Sequence, residues 1–116
     1  MANAAQIYKQ IVESVNSEGF HAFFETIDGF GDRVVCVSHC REGRYYGTSF
    51  WITQRDQTWF LGAFSYRQWI LTGSVNLPAL AVDYLKSGSG PGGPSAELVC
   101  RYKLRELNSD ELIGSS

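Results

Sequence analysis

The chain has 116 residues and a mass of 12.9 kDa, with 44% hydrophobic and 19% charged residues. A globular chain of this length buries about two-thirds of its surface around one hydrophobic core, which excludes a two-domain organisation and a disordered chain. The formal charge is −2 and the pI is near 5.6; this removes the overall positive charge on which most nucleic-acid binding depends, so we expect no nucleic-acid partner.

The first predicted element is an amphipathic helix over residues 3 to 18. Its apolar positions recur at helical spacing and form one stripe: Ile7, Ile11, Val12 and Val15. Gly19 follows, and glycine commonly ends a helix in the left-handed conformation. A helix with one apolar side needs a second layer to pack against.

A meander of antiparallel strands is predicted after this helix. The apolar residues change to a period of two, and β-branched and aromatic types dominate. Strands are expected at 20–27, 33–40, 44–53 and 58–65. Residues 67–71 are a candidate for a fifth strand, which would enlarge the predicted sheet from five strands to six. The connections are too short for parallel crossovers, so neighbouring strands must pair antiparallel.

A second helix is predicted after these strands. Ser74 or Asn76 is the expected N-cap, Pro78 lies in the first turn, and Gly88 is expected to end the helix. The segment 87–95, SGSGPGGPS, has the composition of a flexible surface loop.

The end of the chain is predicted to form one more strand, followed by a tail. Over residues 96 to 106, apolar side chains alternate with mostly charged ones. This alternation predicts a strand, with a basic stripe of Arg101, Lys103 and Arg105 on one face. We interpret this stripe as a solvated edge that discourages unwanted strand pairing. Residues 107 to 116 are expected to form a frayed tail or a short terminal helix.

Together these elements predict one α+β domain over residues 1 to 106, with a C-terminal tail over residues 107 to 116. The predicted order is α-β-β-β-β-(β)-α-β, an antiparallel sheet of five or six strands packed by two helices. This order is similar to that of α/β-roll folds and of the small acidic chaperones of secretion systems. The likeness is one of topology alone and implies no function.

The cysteines and histidines do not match a metal-binding pattern. On an extended strand Cys36 and Cys40 lie about 13 Å apart and His39 points to the other face, so the three can converge only if the strand bulges near Ser38. We expect Cys36 and Cys100 to be small buried hydrophobic residues, and we predict no metal and no cofactor. Three cysteines cannot all pair within one chain, which favours reduced thiols in the cytoplasm.

Aromatic residues are unusually abundant, at 14% of the chain. If helices cover one face of the sheet, the alternation of the strands places part of the aromatic set on the opposite face. The predicted binding residues are the aromatic Tyr45, Trp51, Trp59 and Trp69 and the interleaved Arg44, Arg55 and Arg67. The arginines would add stacking and carboxylate recognition. The alternative is that both faces are covered and the tryptophans belong to the core.

These observations favour a small non-catalytic domain that binds a protein or peptide through an aromatic-rich sheet face, with a homodimer as the expected assembly. The alternative is an α/β-roll that binds a small molecule or is a small enzyme. Its pocket would lie between sheet and helix, with His21, His39 or Cys40 near the mouth. A signal peptide and a long apolar run are both lacking in the sequence, so no membrane partner is expected.

Overall fold

The computed structural model describes residues 3–87 and 89–114, which form three helices and one six-stranded sheet. The helices are α1 (Ala4–Ser17), α2 (Leu77–Lys86) and α3 (Ala96–Tyr102). The strands are β1 (His21–Ile27), β2 (Gly31–Arg41), β3 (Arg44–Arg55), β4 (Thr58–Ala63), β5 (Gln68–Leu71) and β6 (Leu104–Glu106). Every neighbouring pair is antiparallel and the strands follow sequence order, so β1 and β6 are the edges. The predicted α+β class and antiparallel sheet are confirmed; the sheet has six strands, the larger of the two predicted numbers, and there are three helices where two were predicted.

One face of the sheet is covered by α1 and α2. Ile11 and Val15 of α1 and Leu80 of α2 are fully buried against it. The rings of Phe50 on β3 and Tyr84 on α2 stack with their centroids 4.0 Å apart. Packed side chains therefore fill the centre of the space between sheet and helices. At its margin, a depression of about 640 Å³ lies between α1, Trp59 of β4 and the start of α2.

The starts of both long helices follow from their capping residues. Asn3 and Gln6 form a reciprocal capping box at the beginning of α1, which satisfies two backbone N–H groups. Asn76, one of the two predicted candidates, caps α2, and Pro78 occupies its first turn. Gly88, the predicted end of this helix, lies outside the described residues.

The prediction of a single strand over residues 96 to 106 is wrong for its first seven residues, which form α3. Ser95 caps this helix, and Glu97 pairs with Arg101 one turn later at 2.6 Å. Lys103 then adopts the left-handed conformation and ends it. The alternation is short, and the apolar Leu98, Val99 and Tyr102 also recur at helical spacing. The cap and the ion pair then favour the helix.

Because of α3, the predicted basic stripe does not form. Arg101 lies on α3, Lys103 ends that helix, and Arg105 lies on β6. Arg101 pairs with Asp83 of α2 at 3.5 Å, and Arg105 pairs with Glu111 at 3.2 Å. These two charges are therefore balanced locally within the fold.

The C-terminal segment, described as far as residue 114, is docked on the sheet. The side chain of Gln68 accepts a hydrogen bond from the backbone N–H of Ile113 and donates one to its carbonyl, both at 2.8 Å. Leu107 is buried, and its backbone N–H donates to the carbonyl of Gln68 at 2.9 Å. The described part of the predicted tail is thus neither frayed nor helical.

Tyr102 joins α3 to α2 by donating a hydrogen bond to Asp83. Burial, together with this hydrogen bond, raises the pKa of Tyr102 to about 12. A tyrosine in the unfolded chain has a pKa of about 10. The contribution of neutral Tyr102 to the free energy of unfolding is therefore complete below about pH 10 and is lost as the pH rises towards about 12.

We therefore expect the Tyr102→Phe variant to lose less stability at alkaline pH than the parent protein. Urea unfolding at about pH 8 and about pH 11 measures the free energy of unfolding of each. Tyr66→Phe is the matched control, because Tyr66 is 86% exposed. If the parent and Tyr102→Phe lose stability equally between the two pH values, the assigned role of Tyr102 is wrong.

Candidate binding surface

The face of the sheet opposite α1 and α2, here called the open face, has a smaller apolar cluster of its own. Its members are Val35, Val37 and Trp51, with Phe23, Phe30, Phe60 and Ile113 packed against them. Phe30 comes from the β1–β2 turn and Ile113 from the C-terminal segment. These two residues cover one half of the open face and leave the other half exposed.

Trp51 is the centre of the covered half and is buried there. Its ring lies across the backbone of Gly62 on β4, where a Cβ atom would come within 2.0 Å. Phe30 meets Trp51 edge-on with centroids 5.1 Å apart, and the guanidinium groups of Arg55 and Arg33 lie 4.7 and 5.1 Å from the Phe30 ring. Trp51 therefore lies on the predicted face but is part of a packed layer.

The contact between Trp51 and Gly62 leads to a stability prediction. In Gly62→Ala the new methyl group meets the indole ring, and overpacking of this kind costs about 1–3 kcal/mol. Gly92→Ala is the matched control, since its Cβ would meet nothing within 4 Å. Urea unfolding should show a large loss for the first variant and little change for the second, and equal midpoints would contradict this packing.

The exposed half of the open face forms a shallow depression of about 220 Å³. We call it the aromatic groove; its lining residues are Phe23, Val35, Val37, Tyr45, Tyr46, Gly47, Ser49 and Phe64. Tyr45, Tyr46 and Phe64 are 52%, 51% and 51% exposed. Phe23 stacks on Tyr45 with centroids 5.2 Å apart. Contiguous exposed aromatic surface of this kind marks an interaction site more often than a random surface does.

A bulge at Ser38 shapes the hairpin end that borders this groove. The register between β2 and β3 shifts between Val37 and His39, which leaves Ser38 as the extra residue. The Ser38 hydroxyl accepts a hydrogen bond from the backbone N–H of Thr48 at 2.9 Å. Gly47 has a φ of +88°, and a Cβ atom there would lie 2.3 Å from the Ser38 oxygen, so glycine is required.

The bulge does not create a metal site. No group of three or more His, Cys, Asp or Glu residues that could hold a metal occurs among residues 3–87 and 89–114. His39 instead stacks on Tyr46 with ring centroids 5.1 Å apart, and His21 lies 6.4 Å from the Tyr45 ring. Cys36 is buried as predicted and Cys40 is half-buried. Cys100 is exposed, so its predicted burial is wrong, because the residue lies on α3 and not on a strand.

The three thiols should react with alkylating reagents in order of exposure. Burial raises the pKa of the Cys36 thiol, and only the thiolate is an effective nucleophile. We expect iodoacetamide to modify Cys100 first and Cys40 more slowly, while Cys36 reacts only in urea, as peptide mass spectrometry would show. Modification of Cys36 in the folded protein at the rate of Cys100 would contradict the burial of Cys36.

Of the three arginines predicted to bind a partner, two are hydrogen-bonded within the fold and one is exposed. Arg55 donates to the carbonyl of Phe30. Arg67 donates two hydrogen bonds to Glu106 at 2.8 and 2.7 Å, which hold the pKa of that carboxyl below its usual range. Arg44 is exposed at the β2–β3 hairpin end beside Arg41, and neither forms an ion pair with a described residue. The hairpin end beside the groove therefore has two arginines without ion pairs and one exposed carboxylate, Glu42, between them.

Trp59 and Trp69 lie on the helix-covered face, so the predicted placement of these two residues on the opposite face is wrong. Trp59 meets Tyr8 of α1 edge-on at 5.4 Å. Trp69 is buried in the main core and lies opposite Leu61, another core residue. Because the strands have bulky residues on both faces, the alternation alone does not show which set the helices cover.

Of the predicted binding residues, Tyr45 lines the groove and Arg44 lies beside it, whereas the three other aromatic lining residues, Phe23, Tyr46 and Phe64, were not predicted. Phe23 and Phe64 come from strands whose exposed faces could not be recognised locally, and Tyr46 borders the groove because of the bulge. A useful signal was the position of Phe64 at a hairpin end, where a bulky aromatic residue has few neighbours to bury it.

Comparison with protein-family models, curated proteins and solved structures finds no match for this chain. In the part of the chain that the structure describes, none of the helices is long and apolar enough to cross a membrane. Function is therefore inferred from the surfaces themselves.

Proposed function

We propose that this chain is a small non-catalytic protein-interaction domain that binds a protein or peptide segment in the aromatic groove. The observation that supports this best is the cluster of half-exposed Tyr45, Tyr46 and Phe64 around the apolar floor of Val35 and Val37. Tyrosine is enriched at binding hot spots because it buries a large area. Its few rotatable bonds also mean that little conformational entropy is lost on binding.

The size of the groove favours one inserted side chain over a small-molecule ligand. Its volume of about 220 Å³ is below the range of about 300–1,000 Å³ typical of small-molecule sites. It is also shallow, which suits a side chain presented by a larger partner. The groove thus supports protein binding. The α/β-roll alternative would have to use the depression of about 640 Å³ between α1, Trp59 and the start of α2, whose lining contains none of the predicted His21, His39 and Cys40.

The charges beside the groove indicate the composition of the partner segment. Arg41 and Arg44 lie at its hairpin end without ion pairs in the described chain, whereas the floor is apolar. Electrostatic complementarity then favours a segment in which an aromatic or branched apolar side chain is followed or preceded by a carboxylate.

A peptide selection tests this function. A random peptide library displayed on phage and selected on the immobilised full chain should yield peptides that combine aromatic or branched residues with Asp or Glu. Tyr45→Ser and Phe64→Ser should each weaken binding of the synthesised peptides at least about tenfold by fluorescence anisotropy. Tyr66→Ser is the control, because Tyr66 is exposed but does not line the groove.

A charge variant tests the second part of the proposal. Arg44→Gln should weaken binding of the acidic peptides and make the affinity less dependent on salt. A selection without enriched peptides, or peptides that bind Tyr45→Ser as well as the parent protein, would refute the proposed function.

A further inference from the structure

β1 is a sheet edge with few of the features that usually protect one. It has seven residues, HAFFETI, and contains neither proline nor lysine. Natural edge strands are commonly shortened, or contain charged residues, lysine above all, or proline, to prevent pairing with another chain. The opposite edge, β6, is shortened to three residues. β1 is thus the edge at which a further strand could add.

The hydrogen bonds of Ala22 show which backbone groups of β1 point away from β2. The Ala22 N–H donates to the side-chain oxygen of Asn16 at 2.9 Å, and its carbonyl accepts from the same amide at 3.5 Å. Along a strand, the N–H and C=O groups of alternate residues point to the same side. Phe24 and Thr26 therefore direct their N–H and C=O groups outward, beyond the reach of Asn16.

An apolar depression of about 410 Å³ runs beside this edge on the helix side of the sheet. We call it the edge groove; its lining residues are Ala5, Tyr8, Lys9, Val12, Glu13 and Phe24. Phe24 is 49% exposed although it lies on the helix-covered face, and its ring is 5.4 Å from that of Tyr8. A strand paired with β1 would place alternate side chains in this groove, so backbone pairing and apolar burial would act together.

Under two-fold symmetry, the charges on α1 at this groove would be complementary to the same charges on a second copy. Lys9 and Glu13 are exposed, and their side chains lie 3.9 Å apart on one helix. A two-fold axis near the middle of β1 sets the two α1 helices antiparallel. Such an arrangement would bring Lys9 of each copy towards Glu13 of the other, as an interface between identical patches requires.

From this edge, groove and charge pattern we infer that a second copy of this chain pairs its β1 antiparallel with β1, forming a two-fold symmetric dimer with one continuous sheet. In the register that uses the outward groups, Phe24 of each copy pairs with Thr26 of the other. The two Glu25 side chains then face each other, each held by its own Arg33 at 2.6 Å. The dimer does not rest on the proposed function, although the two surfaces meet at Phe23. This residue lines the aromatic groove on the other face of the sheet, and the same register places it beside Ile27 of the second copy.

Sedimentation velocity of the full chain over a range of concentrations tests the dimer. The expected species has twice the 12.9 kDa of the chain. Thr26→Pro removes one outward N–H at an edge position that tolerates proline, and should raise the dissociation constant at least about tenfold. Thr26→Val is the matched control, because it keeps the N–H and loses only the hydroxyl bond to Asp32.

A charge exchange provides a second test that does not alter the strand. Lys9→Glu should weaken the dimer, and Lys9→Glu combined with Glu13→Lys should restore it, since the exchange recreates both pairs between the copies. Lys103→Glu, on the far side of the chain, is the charge control. Circular dichroism of every variant confirms that it is folded.

The outcomes separate this dimer from binding in the aromatic groove. A monomer at every concentration, or a dimer insensitive to both Thr26→Pro and Lys9→Glu, would overturn the inference. So would a dimer that Tyr45→Ser dissociates and Thr26→Pro leaves intact, because the second copy would then lie on the open face. If Thr26→Pro does not fold, the charge exchange at Lys9 and Glu13 alone tests whether the dimer forms through β1.

Discussion

The packing of two helices against a single face of the sheet is the constraint on which the rest of this structure depends. Phe50 and Tyr84 stack at its centre, and Ile11 and Leu80 are buried beside them. Since α1 and α2 both lie on this face, the cover of the opposite face, within the described residues, consists of turns and the short C-terminal segment. The open face exists because the helices are on one side.

The C-terminal segment divides that open face into two parts with different properties. The paired hydrogen bonds between Gln68 and Ile113 position the segment beside Trp51. Phe30 also packs against Trp51, whose ring lies against Gly62. This half is a small second core. The half near the β2–β3 hairpin receives no such cover, so its aromatic side chains remain accessible to a partner.

The two surfaces we propose for binding use different physical interactions. The aromatic groove offers side-chain contacts and two arginines at one end, so a partner would be selected by its apolar and acidic residues. The β1 edge offers backbone groups and a groove with one charge of each sign, which suits a second copy of the same surface. They open on opposite faces of the sheet and share β1, where Phe23 lines the aromatic groove and Phe24 lines the edge groove.

The sequence by itself determined the α+β class, the first helix, four strands of the meander and the second helix, because helical and strand periods, turns and caps are local properties. It left the fifth strand of the meander open, and also the choice between Ser74 and Asn76 as the cap of the second helix. Residues 96 to 102 are too few for their alternation to exclude a helix, and the cap at Ser95 favoured the helix. Only the tertiary structure decided that Trp59 and Trp69 face the helices while Tyr45 faces solvent, and that β1 is a free edge. These outcomes depend on strand register and on which layer covers which face, and both are set by contacts between residues far apart in the chain.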